Sequence, residues 1–144
     1  MYESTGHSLH CLLDTPTLRV CYDAANQWLY CQWLGQHDGP SVAQHAQAIF
    51  ACLMERPCRK MLSDHSQLLG DWRAAAPETV RHNFERLADY GVLYVAWVYS
   101  RDYHDHLSMQ QVLRYPSRST VALFSDVASA YEWLSHYPSR GQAS

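Results

Sequence analysis

Lysine is nearly absent from this chain. Lys60 is the only one in 144 residues, and 11 basic side chains stand against 14 acidic ones, for a formal net charge of −3. A nucleic-acid surface normally needs a basic patch, so that class of partner is not expected. Charged residues of either sign are scarce at 17 %, below the usual share of about a quarter. Long apolar runs are missing too. The longest nearly continuous one, Val92–Tyr99, falls far short of the roughly 20 residues of a spanning helix. Met1–His10 is polar, with no basic stretch leading into an apolar one, so neither a signal peptide nor a membrane partner is expected. The five cysteines, Cys11, Cys21, Cys31, Cys52 and Cys58, are odd in number and contain no C-x-x-C pair. A disulfide framework or zinc ribbon is therefore disfavoured, and a reduced cytoplasmic protein is expected. The six glycines are scattered and build neither a P-loop nor a G-x-G-x-x-G turn, and no G-x-S-x-G elbow occurs. The common phosphate-binding and hydrolase signatures are thus lacking, and no cofactor is implied.

What is present is a globular composition. Apolar residues make up 47 % of the chain, the reverse of a disordered balance. The length suits one domain with a real core. That domain is expected over 9–137, with flexible polar tails at 1–8 and 138–144.

Leu18–Asp23 and Trp28–Trp33 alternate with period two and read as a β-hairpin closed by Ala24–Gln27. Setting Asp23 opposite Trp28 puts Tyr22 against Leu29, Val20 against Cys31 and Leu18 against Trp33, which gathers the apolar partners on one face. It also sends Cys21 and Cys31 to opposite faces. Ser41–Arg56 reads as a helix with Ser41 as N-cap and Val42, Ala46, Ile49 and Leu53 as its buried stripe. Lys60–Ser63 reads as a short strand, followed by a polar stretch from Asp64 to Ala76. A second helix starts at Pro77, with Val80, Phe84, Leu87 and Ala88 inward and Gly91 as C-cap. Val92–Tyr99 reads as a central strand covered on both faces. A third helix is expected from about Tyr103 to Arg114, then a strand Thr120–Phe124 and a final helix capped by Asp126 and running to about His136. The order implies a single α/β domain: a mixed five-stranded sheet that opens with an N-terminal β-hairpin, with right-handed crossovers and about four helices.

Few residue clusters point to chemistry. Among nine histidines, His104-Asp105-His106 is the one dense group. Residues two apart on a helix diverge by roughly 200°, so a polar first turn is preferred there over a metal site, and no metal is expected. Cys58 stands next to Arg59, which favours a thiolate, although an inert thiol is the preferred reading. Ser63-Asp64-His65-Ser66 is the densest polar group, and Asp64 and Asp71 fall after the third strand, where open α/β sheets place functional groups. Neighbouring strand side chains point apart, so a triad is disfavoured. An exposed serine there is a better phosphoacceptor. Of the aromatics, Trp33, Trp97 and Trp133 are expected in the core. Trp28, Tyr30 and Trp72 fall on outward or loop positions and are candidate interface residues.

The order and spacing of these segments resemble the STAS-type domains of anti-sigma factor antagonists and sulphate transporters. They resemble more closely the SpoIIAA-like single-domain bacterial proteins of unassigned function. The likeness rests on Leu18–Asp23, Trp28–Gly35, Met61-Leu62-Ser63-Asp64, Tyr94–Tyr99, Thr120–Phe124 and Ala130–Leu134. It implies a non-enzymatic module. In the antagonists a serine after the third strand, within a motif of Asp, Ser or Thr, Ser and Gly, is phosphorylated by a partner kinase. Asp64 and Ser66 match that motif, and Gln67 stands at the glycine. The expected function is a regulatory module that binds a protein partner through Ser63, Asp64, His65, Ser66 and Trp72, with a homodimer as one form. The free edge of the opening hairpin is a second candidate surface. The alternative is a carrier or sensor of a small apolar ligand in an aromatic-lined pocket, and an enzyme acting through Asp64, His65 or Cys58 ranks last.

Overall fold

In the computed structural model, which describes residues 9–69, 77–99, 110, 113–114 and 117–138, six strands form one sheet. They are β1 (Leu9–Asp14), β2 (Leu18–Asp23), β3 (Trp28–Gln36), β4 (Lys60–Leu69), β5 (Tyr94–Val98) and β6 (Thr120–Phe124). Three helices lie among the described residues: α1 (Gly39–Glu55), α2 (Pro77–Asp89) and α3 (Val127–Ser135). Strand order in the sheet is the order along the chain. β1, β2 and β3 pair antiparallel, and β3 to β6 pair parallel.

The sheet has six strands rather than five, because β1 precedes the hairpin. A register shift between Cys11 and Leu13 interrupts the alternation of β1, which hides its period from a pattern search. β1 covers the hairpin edge expected to be a free surface. The hairpin register itself is as expected, with Leu18, Val20, Tyr22 and Asp23 opposite Trp33, Cys31, Leu29 and Trp28. β4 runs to Leu69 instead of ending at Ser63, since its polar half pairs with β3 as far as Gln36 and Leu69. β5 is shorter than the run Val92–Tyr99. The helix expected over Tyr103–Arg114 falls almost wholly outside the described residues.

Helix ends obey local chemistry. α1 begins earlier than expected: Asp38, not Ser41, is its N-cap, and Asp38 and Ser41 form a reciprocal capping box. Pro40 fits the first turn, where its missing N–H costs nothing. α2 ends on Gly91 at φ +96. There Val92 N–H bonds Leu87 O at 2.9 Å and Gly91 N–H bonds Ala88 O at 3.0 Å, a Schellman closure that needs a left-handed residue. Asp126 caps α3 through the Ser129 N–H.

Because successive parallel strands add in one direction, right-handed crossovers place their helices on one face. α1 and α2 cover that face, in a core that includes Leu18, Val20, Leu29, Met61, Val95 and Trp97. α3 comes after the last strand and covers the other face, over Trp28, Tyr30, Leu62, Ala96 and Val98. Lys60 ties this helix down. Its buried ammonium donates to Leu134 O at 3.1 Å and Tyr137 O at 2.9 Å, near the negative end of the helix. Burial lowers its pKa, and its ammonium lies 5.0 Å from the Trp28 ring centre. No helix among the described residues is long and apolar enough to cross a membrane.

Candidate functional site

β4 occupies the middle of the sheet and carries its densest set of polar side chains. Strand alternation sends Ser63 and His65 toward α1 and α2, and Asp64 toward the opposite face. The register steps from Gln32↔Asp64 to Leu34↔Gln67, so two residues, His65 and Ser66, oppose Trp33 alone. This β-bulge re-aims the remainder of the strand. Strict alternation would turn Gln67 inward. Instead Gln67 is exposed and Leu68 is buried.

His65 is fully enclosed. Its ring stacks on Trp97 at 3.8 Å between centroids and lies against Trp33 at 5.2 Å. Three neighbouring strands thus contribute one aromatic row. Ser63 Oγ accepts the Trp33 indole N–H at 3.2 Å and lies 2.8 Å from His65 Nε2. His65 Nδ1 is buried and has no hydrogen-bond partner among the described residues. Burial first, and the nearby His37 second, hold its pKa well below the usual imidazole value. The ring is neutral at pH 7. Ser63 O–H therefore satisfies all three polar groups best by donating to Nε2, which leaves the proton on Nδ1.

Two further imidazoles surround Trp33. His45 Nδ1–H donates to Ser41 O at 2.6 Å, so its Nε2 accepts from Thr17 Oγ1 at 2.8 Å. Burial lowers its pKa as well. His37 Nε2–H is shared between Thr17 O at 3.1 Å and Leu34 O at 3.0 Å. Held in this way, His45 stacks on the Trp33 ring at 5.7 Å between centroids and His37 meets it edge-on at 5.3 Å.

Above the aromatic row lies a cavity of about 60 Å³ between α1, α2 and the sheet. Val42, Ala46, Ile49, Phe50, Phe84 and Leu87 form its apolar wall, and Ser63, His65 and Trp97 lie on the sheet side. Sequence reasoning did not bring the apolar lining and the seryl–imidazole contact together. The signal lay in the i, i+2 spacing of Ser63 and His65, which puts them on one face once both belong to a strand.

The remaining candidates are distributed differently. Ser63, Asp64 and His65 are buried in β4 and not in an exposed loop; Ser66 is exposed. Asp64 accepts from Tyr30 O–H and from Ser66 N–H, each at 2.9 Å. It faces away from His65 and does not orient that imidazole. Burial, then the Asp64 carboxylate, push the Tyr30 phenol far up, so it remains a donor. Trp28 and Tyr30 are corrected from interface to core, at 0 % and 4 % exposure, because α3 covers the face expected to look outward. Trp133, expected in the core, is half-buried against Phe124 and Tyr137. Cys58 is buried with its thiol directed to Lys60 O, which removes the accessible-nucleophile reading. Trp72, Asp71 and His104-Asp105-His106 lie outside the described residues.

No protein-family model and no curated protein sequence matches the chain. A solved structure does. It is an uncharacterised protein of the DUF3478 family from Shewanella loihica PV-4, described as having a SpoIIAA-like fold. The two superimpose with a TM-score of 0.51 at 15 % identity, over 88 % of this chain and 91 % of that one. The fold is SpoIIAA-like. At that identity the likeness speaks for architecture alone, and function has to be argued from the site.

Proposed function

We propose that this SpoIIAA-like domain is a non-enzymatic module that senses or carries a small, mostly apolar molecule bearing one hydrogen-bond acceptor. The single observation behind this reading is the buried His65 Nδ1, unmatched among the described residues, in a residue that lines an apolar cavity. A buried donor without an acceptor costs about 1–3 kcal/mol. A ligand carbonyl, ether or hydroxyl oxygen would relieve that cost, and the apolar wall would hold the rest of the molecule. The space limits size. At about 60 Å³ it is smaller than the ~150 Å³ engineered cavity that takes benzene. The best-fitting class is a short aliphatic ketone or alcohol, or the end of a longer chain. Catalysis is disfavoured because Asp64 lies on the other face and the Ser63 hydroxyl is engaged by Trp33.

Ser66 supplies the regulatory side of the reading. It is exposed and shares the bulge with His65, so a shift of the imidazole on ligand binding would reach the surface one residue away. A protein partner, a second copy included, would read that surface. A phosphate on Ser66 would add nearly two negative charges there.

The test is thermal unfolding of the full chain with a series of 2-ketones from acetone to 2-heptanone. Binding to the folded state raises stability by about 1.4 kcal/mol at ten times Kd. The expected result is a saturable rise with one preferred chain length, lost in Ala46→Val, which fills the cavity, and weakened in His65→Phe. An equal response in all three proteins would overturn the ligand reading. Mass spectrometry of the protein from its own cells tests the output: phosphate on Ser66 supports it, and an unmodified Ser66 under every growth condition removes the phosphoswitch.

A further inference from the structure

On the other face of the sheet, away from the cavity, two cysteines meet across the β1–β2 pair. Cys11 and Cys21 are direct register partners, and their sulfurs lie 2.8 Å apart. Paired residues in an antiparallel ladder have Cα atoms roughly 4.5 or 5.5 Å apart. Both values fall inside the range of about 4.4–6.8 Å that a disulfide spans, so bonding needs no change of register. The two thiols are not equivalent. Cys11 is exposed on the edge strand and Cys21 is buried. Arg19, two residues before Cys21 on the same face, donates from Nη2 to Cys11 Sγ at 3.2 Å. The guanidinium is placed to stabilise negative charge on the outer sulfur, to which it hydrogen-bonds; its charge also favours a Cys21 thiolate, but burial and the neighbouring sulfur outweigh it there.

We propose that Cys11 and Cys21 form a redox-active dithiol that a hydroperoxide closes to a disulfide, with Cys11 as the attacking and Cys21 as the resolving residue. In the first step the Cys11 thiolate attacks a peroxide oxygen. The O–O bond breaks, the departing oxygen takes up a proton as water or an alcohol, and Cys11 becomes a sulfenic acid. In the second step the Cys21 sulfur attacks the Cys11 sulfur. The S–O bond breaks and the hydroxyl leaves with the Cys21 proton as water. Two thiols lose two electrons, and one peroxide is reduced. An accessible thiol beside a cation with a second thiol in reach is the arrangement that stops oxidation at the reversible stage. Burial and the neighbouring sulfur push the Cys21 thiol up to about 12. That suits a group that waits for the sulfenic acid and does not compete for the oxidant. Closure would fasten the edge strand to the sheet covalently.

The experiment uses the reduced full chain, one equivalent of hydrogen peroxide, and alkylation in denaturant before non-reducing tryptic mass mapping. Cleavage after Arg19 puts the two cysteines on separate peptides, Met1–Arg19 and the one that begins at Val20. The expected product is these two joined, about 2 Da lighter than their sum, and absent from Cys11→Ser. In Cys21→Ala the oxidation should halt at a Cys11 sulfenic acid that dimedone traps. Arg19→Gln removes the cleavage site, so closure there is followed on the intact chain as the loss of two alkyl groups, and it should slow several-fold. If all five thiols alkylate fully after peroxide, or if the Met1–Arg19 link survives Cys21→Ala, the proposal fails.

Discussion

His65 makes this fold sensitive to acid. Its folded pKa is held well below 6.5 by burial, while the unfolded chain titrates near 6.5. Between those values the unfolded state binds a proton that the folded state does not. Stability is therefore complete above about pH 6.5 and falls as pH drops, with a slope approaching ~1.4 kcal/mol per pH unit. His45 shifts in the same direction. Urea unfolding at pH 7 and pH 5 should show the loss, and His65→Phe should flatten it. An unchanged slope in the variant would place the acid sensitivity elsewhere. Lys60 is the second residue with a single task. Lys60→Met keeps the stem but removes the ammonium donor from Tyr137 O and from Leu134 O, which retains only the backbone N–H of Tyr137 at 3.3 Å and that of His136. A loss of about 1–3 kcal/mol is expected. A neutral result would mean that water replaces the ammonium there.

At the scale of elements, legibility depended on whether one physical signal dominated. The β2–β3 hairpin, α3 with its Asp126 cap and the Gly91 stop of α2 could be read because alternation, side-chain capping and left-handed backbone each leave local marks. Replacing Asp126 by Ala should cost about 1 kcal/mol of stability in chemical denaturation, and a much smaller loss would show that α3 is held by packing over Trp28 alone. Where two signals conflicted, the reading failed. The polar run Asp64–Gln67 looks like a loop by composition, yet pairing with β3 makes it strand. The bulge then conceals which residue faces inward. Of the site, the region around Ser63–Ser66 was legible; the cavity was not, because its wall comes from α1 and α2 and only tertiary packing brings them to β4. The interface assignment of Trp28 and Tyr30 failed for a related reason: nothing in β3 itself reveals that a helix a hundred residues later covers its second face.

At the scale of the molecule, the two faces of the sheet divide the work. One holds the cavity and the aromatic row, the other the short helix α3, Lys60 and the cysteine pair. Cavity and dithiol are therefore separable by mutation. Ala46→Val should abolish the ketone response while leaving the peroxide-driven link between Cys11 and Cys21 intact, and Cys21→Ala should do the reverse. Loss of both functions in either variant would indicate a damaged fold and not a damaged site. The large exposed apolar side chains among the described residues are Met54 on α1, Leu69 at the end of β4 and Leu93 in the link before β5.

Strands that lie side by side in the order in which they occur also set a schedule. On the ribosome, where chains emerge and domains begin to fold from the N-terminus, each new strand of this sheet meets a neighbour that has already been made. No strand has to wait for a later one to be inserted beside it, and no gap in the growing sheet stays open. The ladder can lengthen at a single advancing edge from β1 to β6, so synthesis and assembly run in the same direction.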